Sequence, residues 1–330
     1  MKKNINHIAA LAFAVTVASG ETIQIRLSDD NAVPLAGAEV RVIFGGTLTN
    51  GSRDHAVRFQ TDARGYGRAS GRAEYNTTVF VTKAGYYDLR LDRIRAGSDH
   101  DLALVMRPQR GPRSLYVRDF VATSSTTNTK FPRHGEWVGF DLEVSDWVVP
   151  HGRGKIADIQ FRFRNEFMGW GPNPTKMLEL RQIHHTTAED QIRRFYGKWD
   201  AELDISFPGA KEGLFEETRF LPYSRMKLPH EAPVEGYVST WRYTVQSYVP
   251  RTARSDIGFF LRTRVKLDEK GNIVSAHYAK IIGDFRADPT GSLSFFYYFN
   301  PVPNDRNLEF DPKKNLFPED ALKGTSIGDP

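Results

Sequence analysis

From residue 22 to residue 108 the chain alternates apolar and polar positions in short runs cut by turn residues. Residues 22–27 (TIQIRL) alternate, residues 29–38 (DDNAVPLAGA) are a turn cluster, and residues 39–44 (EVRVIF) alternate again. The second run places Val40, Val42 and Phe44 on one side of a strand and Arg41 and Ile43 on the other. A further turn lies in residues 61–70 (TDARGYGRAS), where Gly65 and Gly67 can take the positive φ that tight turns need. With the runs at 77–91 and 101–108 this makes roughly six strands, the spacing of a small β-sandwich.

Residues 109–114 break the pattern. Pro108, Gly111 and Pro112 among polar residues cannot continue a strand ladder, so a linker is predicted there between a first domain at 21–108 and a second at 115–317. Strand-like runs recur in the second domain, at 114–122, 136–144, 155–167, 199–207, 239–249, 258–267, 272–283 and 292–300. Residues 267–274 (LDEKGNIV) read as a hairpin closed by Gly271. A single short helix is expected, with Thr187 as cap, Glu189 and Asp190 in its first turn and Gly197 as its stop. The expected class is all-β: the small sandwich, then a larger β-sandwich or partly closed barrel with that helix. The polar residues 318–330 are expected to form a flexible tail.

The first domain resembles the carboxypeptidase-regulatory-like family, a transthyretin- or Ig-like sandwich. The resemblance is carried by PLAGAEVRV at 34–42, TDARGYG at 61–67, VFVTKAGYY at 79–87 and LALVMRP at 102–108. It implies that fold and an accessory role beside another domain, and it implies no catalytic residues. None of the nine histidines is followed three residues later by Glu, the spacing by which metallocarboxypeptidases hold zinc. The second domain is similar to a family of exported bacterial proteins through residues 139–161, 271–285 and 299–317, a likeness that implies a shared fold and no chemistry.

The start of the chain sets the compartment. Lys2 and Lys3 precede an uncharged apolar run, Ile8 to Val17, and Ala18 and Gly20 put small residues before Glu21. This is the pattern of a signal peptide over 1–20, and the run is too short to anchor in a bilayer. The protein is therefore expected to be exported, periplasmic or extracellular, with no membrane span in the mature chain. Zero cysteines exclude disulfides, thiolate metal sites, a Cys nucleophile and a lipid-modified Cys anchor. The net charge of +5 is spread among nearly equal numbers of acids and bases without like-charge runs, so no nucleic-acid surface is indicated.

Three constellations could carry chemistry. Phe167 and Trp170 stand in the Gly- and Pro-rich stretch 167–176, read as a loop, where large rings can stack on the apolar face of a sugar. Asp305, Asn307, Glu309 and Asp311 alternate, so in a strand they would present oxygens on one side, as calcium requires. Leu308 and Phe310 packed inward from a solvated edge explain the same pattern. His184, His185 and Glu189 form a weaker metal alternative for zinc or iron, since adjacent residues of an extended chain point to opposite faces. Nucleophile-elbow, His-x-x-x-His and phosphate-loop patterns are absent.

The expected function is a non-catalytic envelope or secreted module that binds a glycan or a surface protein. A secreted polysaccharide hydrolase using paired carboxylates such as Asp141 and Glu143 is the alternative, and a structural envelope component is a third.

Overall fold

The computed structural model describes residues 20–46, 55–121, 129–170, 197–246, 254, 256–289, 291–322 and 327–330. The chain divides into two compact units between Met106 and Arg107.

The first unit holds β1 (Glu21–Asp29), β2 (Glu39–Phe44), β3 (His55–Gln60), β4 (Tyr66–Gly71), β5 (Asn76–Thr82), β6 (Leu89–Arg95) and β7 (His100–Met106). They form a three-stranded sheet, β4-β1-β7, and a four-stranded sheet, β3-β2-β5-β6. The expected alternation holds: Val40, Val42 and Phe44 are buried, while Arg41 and Ile43 are not. Ile23, Ile25 and Leu27 of β1 and Val79 and Val81 of β5 are buried with them. Gly65 takes the predicted positive φ of 71°. Gly67 does not, and is glycine for another reason: a Cβ there would lie 2.2 Å from the Phe59 ring.

The second unit holds β8 (Tyr116–Phe120), β9 (Val138–Asp141), β10 (Asp146–Trp147), β11 (Ile159–Trp170), β12 (Gly197–Ser206), β13 (Gly213–Glu217), β14 (Thr240–Gln246), β15 (Gly258–Leu267), β16 (Ile273–Asp288) and β17 (Ser292–Asn300). The sheets run β10-β9-β11-β12-β14 and β13-β15-β16-β17-β8. Both are open, so the larger domain is a sandwich and the barrel alternative is set aside. Phe140, Trp147, Phe161 and Phe163 from the first sheet meet Phe120, Phe259, Phe285, Phe295 and Tyr297 from the second in one aromatic core. Gly271, with φ 78°, closes the predicted β15–β16 hairpin. Among the described residues there is no α-helix, only a 3-10 turn at Glu319–Leu322, and no helix long and apolar enough to cross a membrane. The helix expected after Thr187 lies outside the described residues.

β16 is covered on its other side as well. Leu228, Ala232 and Leu308 pack on Phe260, Ala276 and Tyr278, and Leu115 and Val117 cluster with Tyr298 and Phe310. This extra layer corrects two expectations. Residues 109–114 are not a free linker. Pro108 and Pro112 prevent a regular ladder, but the N–H groups of Arg110 and Gly111 donate to the buried Glu309 carboxylate at 3.0 and 2.8 Å. Arg113 then bridges in parallel to Phe310. The end of the tail is not free either. Asp329 pairs with Lys227 at 2.9 Å, and its carbonyl accepts from the Tyr298 hydroxyl at 3.1 Å. Lys280 Nζ, fully buried on β16, donates to the Pro330 carbonyl at 3.2 Å. A buried ammonium needs an acceptor, and the tail supplies one.

Candidate functional site

The feature most suited to recognition lies where β11 and β12 run past the aromatic core. On β11, Phe161 and Phe163 face the core. Two residues on, Asn165 ties the strand across: its amide donates to the Pro289 carbonyl at 2.8 Å, and its oxygen accepts from His134 Nδ1 at 2.7 Å. Phe167 is the next residue on that face and stands opposite Trp199 of β12. The two rings meet edge to face at 5.2 Å between centroids.

Strict alternation would send Trp170 to the opposite face from Phe167. A β-bulge prevents it. The register shifts between Phe167 and Gly169, so that Phe167 faces Trp199, Gly169 faces Lys198 and Trp170 faces Gly197. The inserted residue restores Trp170 to the side of Phe167 and Trp199. Gly169 sits in the bulge at φ 101°, a backbone that side chains with a Cβ adopt only under strain. Trp170 then stands edge-on to Phe167 at 5.3 Å and keeps 37% of its surface exposed. The result is a ledge of three interlocked rings. The structure thus places Phe167 and Trp170 on a strand end rather than in a loop. Sequence reasoning did not bring Trp199 to this site, because its pairing with Phe167 is set across strands. The signal was a glycine inside a strand-like run, which marks a bulge.

The alternating acids prove to have another use. Asp305, Asn307, Glu309 and Asp311 do not form a calcium cradle, because their oxygens are already engaged. Asp305 pairs with Arg113 at 3.1 Å and also accepts from the Asn307 N–H. Asn307 accepts from the Glu309 N–H, Glu309 takes the two N–H groups at 110 and 111, and Asp311 accepts from the Lys313 N–H. The segment is also not a regular strand: Leu308, Glu309 and Phe310 are buried in succession. Side-chain acceptors at alternate positions here fasten a proline-interrupted segment. No group of three or more His, Asp or Glu that could hold a metal is present among the described residues. His184, His185 and Glu189 lie outside them.

The acid pair Asp141 and Glu143 is likewise committed. Both bind Arg264, at 3.2 and 2.6 Å, and Asp141 also accepts the N–H groups of Lys155 and Ile156. A different acid faces open space. Asp119 of β8, opposite Phe296 of β17, lines a cleft of about 310 Å3 together with Arg286, Ser294, Lys227 and Phe220. Burial pushes the Asp119 carboxyl up from its ordinary 3.8, and Arg286 only partly offsets this. An acid raised in the folded state contributes stability below pH 3.8 and loses it as pH rises through its folded value. Asp119→Asn should therefore raise the urea midpoint at pH 7, by at most about 1 kcal/mol, and flatten the acid-side gain. A lower midpoint at pH 7 would refute this.

No family model matches the chain, and no curated protein does. Among solved structures, a hydroxyquinol 1,2-dioxygenase from Pseudomonas putida is 12% identical, with 29% of this chain and 58% of that one covered at a TM-score of 0.22. The chain spans less than two thirds of the length of that enzyme and of a 3-chlorocatechol 1,2-dioxygenase from Rhodococcus opacus. A Bacteroides uniformis "putative carbohydrate binding protein" is 10% identical over 86% of this chain and 98% of that one, with a TM-score of 0.21. A mutant of the shaft pilin SpaA from Lactobacillus rhamnosus is 10% identical over 89% and 95%, with a TM-score of 0.20. Likenesses at this level carry no statement about chemistry. The sites must speak for themselves.

Proposed function

We propose that the protein is a non-catalytic envelope or secreted module whose larger sandwich binds a glycan on the Phe167–Trp170–Trp199 ledge. The observation that carries this reading is the bulge at Gly169. It costs a ladder position and turns Trp170 to the side of two other rings, where part of its surface stays in water. Phe167, itself packed on Trp199, meets the indole edge-on, so less rotamer freedom is left to lose on stacking against a sugar face. The small sandwich serves as the accessory domain.

The test is binding to a panel of neutral glycans with the purified protein. Trp170→Ala is expected to weaken binding at least tenfold, and Gly169→Val to do the same by misdirecting Trp170. Trp170→Ala should leave the unfolding midpoint within about 1 kcal/mol of the parent, because the ring is partly exposed, whereas Gly169→Val also carries the strain of a β-branched residue at positive φ, about 1–3 kcal/mol. Binding should not change with calcium, since the acids at 305–311 are already engaged. Glycan binding unaffected by either variant would sink the ledge. Sugar release that Asp119→Asn abolishes would instead favour the hydrolytic alternative.

A further inference from the structure

The outer face of the β3-β2-β5-β6 sheet carries an arrangement that the fold does not need. Arg58 on β3 stands directly opposite Arg41 on β2, Arg41 opposite Phe80 on β5, and Phe80 opposite Arg90 on β6. One row thus crosses four strands, about 14 Å at the usual strand spacing. Like charges directly opposite on a sheet oppose its formation. Arg90 has an acid, Asp92, at 2.8 Å. Arg41 and Arg58 make no ion pair among the described residues. The Arg41 guanidinium lies 4.5 Å over the Phe80 ring and that of Arg90 lies 5.3 Å from it, so the ring holds the Arg41 fork in place.

A groove of about 440 Å3 runs beside this row, with Glu39, Gln60 and Thr82 on its other wall. Gln60 and Thr82 are the register partners of Glu39 on its two neighbouring strands, one step along from the arginine row. The groove therefore offers two forked cations on one wall, and an amide, a hydroxyl and a carboxylate on the other. It lies on the face of the sheet, where backbone donors and acceptors are spent in the ladders. A peptide gains no main-chain pairing there. A ligand rich in hydroxyls with spaced carboxylates meets every group. Planar carboxylates also match the guanidinium fork, which binds them through two parallel hydrogen bonds.

We propose that this row is a binding site for an acidic polysaccharide bearing uronate-type carboxylates, separate from the aromatic ledge. The probe is immobilised polygalacturonate at low ionic strength, with a neutral glucan and polyglutamate as comparisons. The parent protein is expected to bind polygalacturonate in preference to both, with binding falling as salt rises. Arg41→Gln with Arg58→Gln should weaken it at least tenfold. Arg64→Gln with Arg68→Gln, which removes the same charge from the same unit, should change it less than twofold. The first double variant should unfold at or above the parent midpoint, because a like-charge pair is gone. No binding by the parent, equal losses in the two double variants, or equal binding to polyglutamate would each overturn the proposal. Trp170→Ala should leave polygalacturonate binding intact, so the two sites can fail independently.

Discussion

Arg264→Met is expected to destabilise the larger unit by about 3–5 kcal/mol, read as a fall in its urea midpoint at pH 7. Arg264 lies on β15 and addresses three carboxylates with one guanidinium. Its Nε and Nη2 donate to Asp158 at 2.8 and 2.9 Å, Nη1 to Glu143 at 2.6 Å, and Nη2 also to Asp141 at 3.2 Å. Burial works against the charged form of Arg264, but hydrogen bonds and charge from Asp158 outweigh it and hold the proton above the ordinary range. Asp158 has no exposed surface and also accepts from the Leu142 N–H and the Thr263 hydroxyl. Removing the cation leaves Asp158 and Asp141 buried without a counter-charge, a larger penalty than the worth of the intact cluster. Asp158→Asn added to Arg264→Met should therefore recover at least half of the loss. Arg264→Lys should recover little, since one ammonium cannot serve three acids in the geometry of a fork. An Arg264→Met protein as stable as its parent would show that the cluster is solvated.

The parts of this fold that rest on local periodicity were legible in the residues. Val40, Val42 and Phe44 could be assigned to a core because a strand repeats every second residue, and Gly271 marked its hairpin by the same local logic. Features that depend on distant partners were not. Asp305, Asn307 and Glu309 read as metal ligands because alternation shows which side an oxygen faces. It cannot show that the N–H groups of Arg110 and Gly111, some 200 residues away in sequence, already face it. The tail at 318–330 read as flexible because its own composition is polar, while acceptors of its last residues are fixed by Lys280, Lys227 and Tyr298. The ledge was half legible. Phe167 and Trp170 stood out as large rings near glycines, but strict alternation separates them. Only the inserted residue at the bulge brings them together.

Raising the pH from 7 to 9.5 is expected to stabilise the protein, and Lys280→Met is expected to abolish that rise. Lys280 has no exposed surface. Burial pushes its ammonium down from 10.5 to about 7, with nearby Arg107 pushing the same way and Glu309 opposing. An unfolded chain keeps the proton up to its ordinary value, so between pH 7 and 10.5 the unfolded state binds more protons than the folded one. Stability must then rise with pH across that window, by at most about 1.4 kcal/mol per unit at the steepest. The tyrosines do not interfere. Burial raises Tyr237, Tyr297 and Tyr298, so each costs stability only above the ordinary value of 10.0. Lys280→Met keeps the length of the side chain while removing the titrating group. It gives up the hydrogen bond to the Pro330 carbonyl and the contact at 4.2 Å over the Tyr298 ring. The variant should show a flat urea midpoint from pH 7 to 9.5, against a parent whose midpoint climbs. A parent curve that is flat or falling in this window would mean that the Lys280 ammonium is solvated, and with it that residues 327–330 do not seal β16.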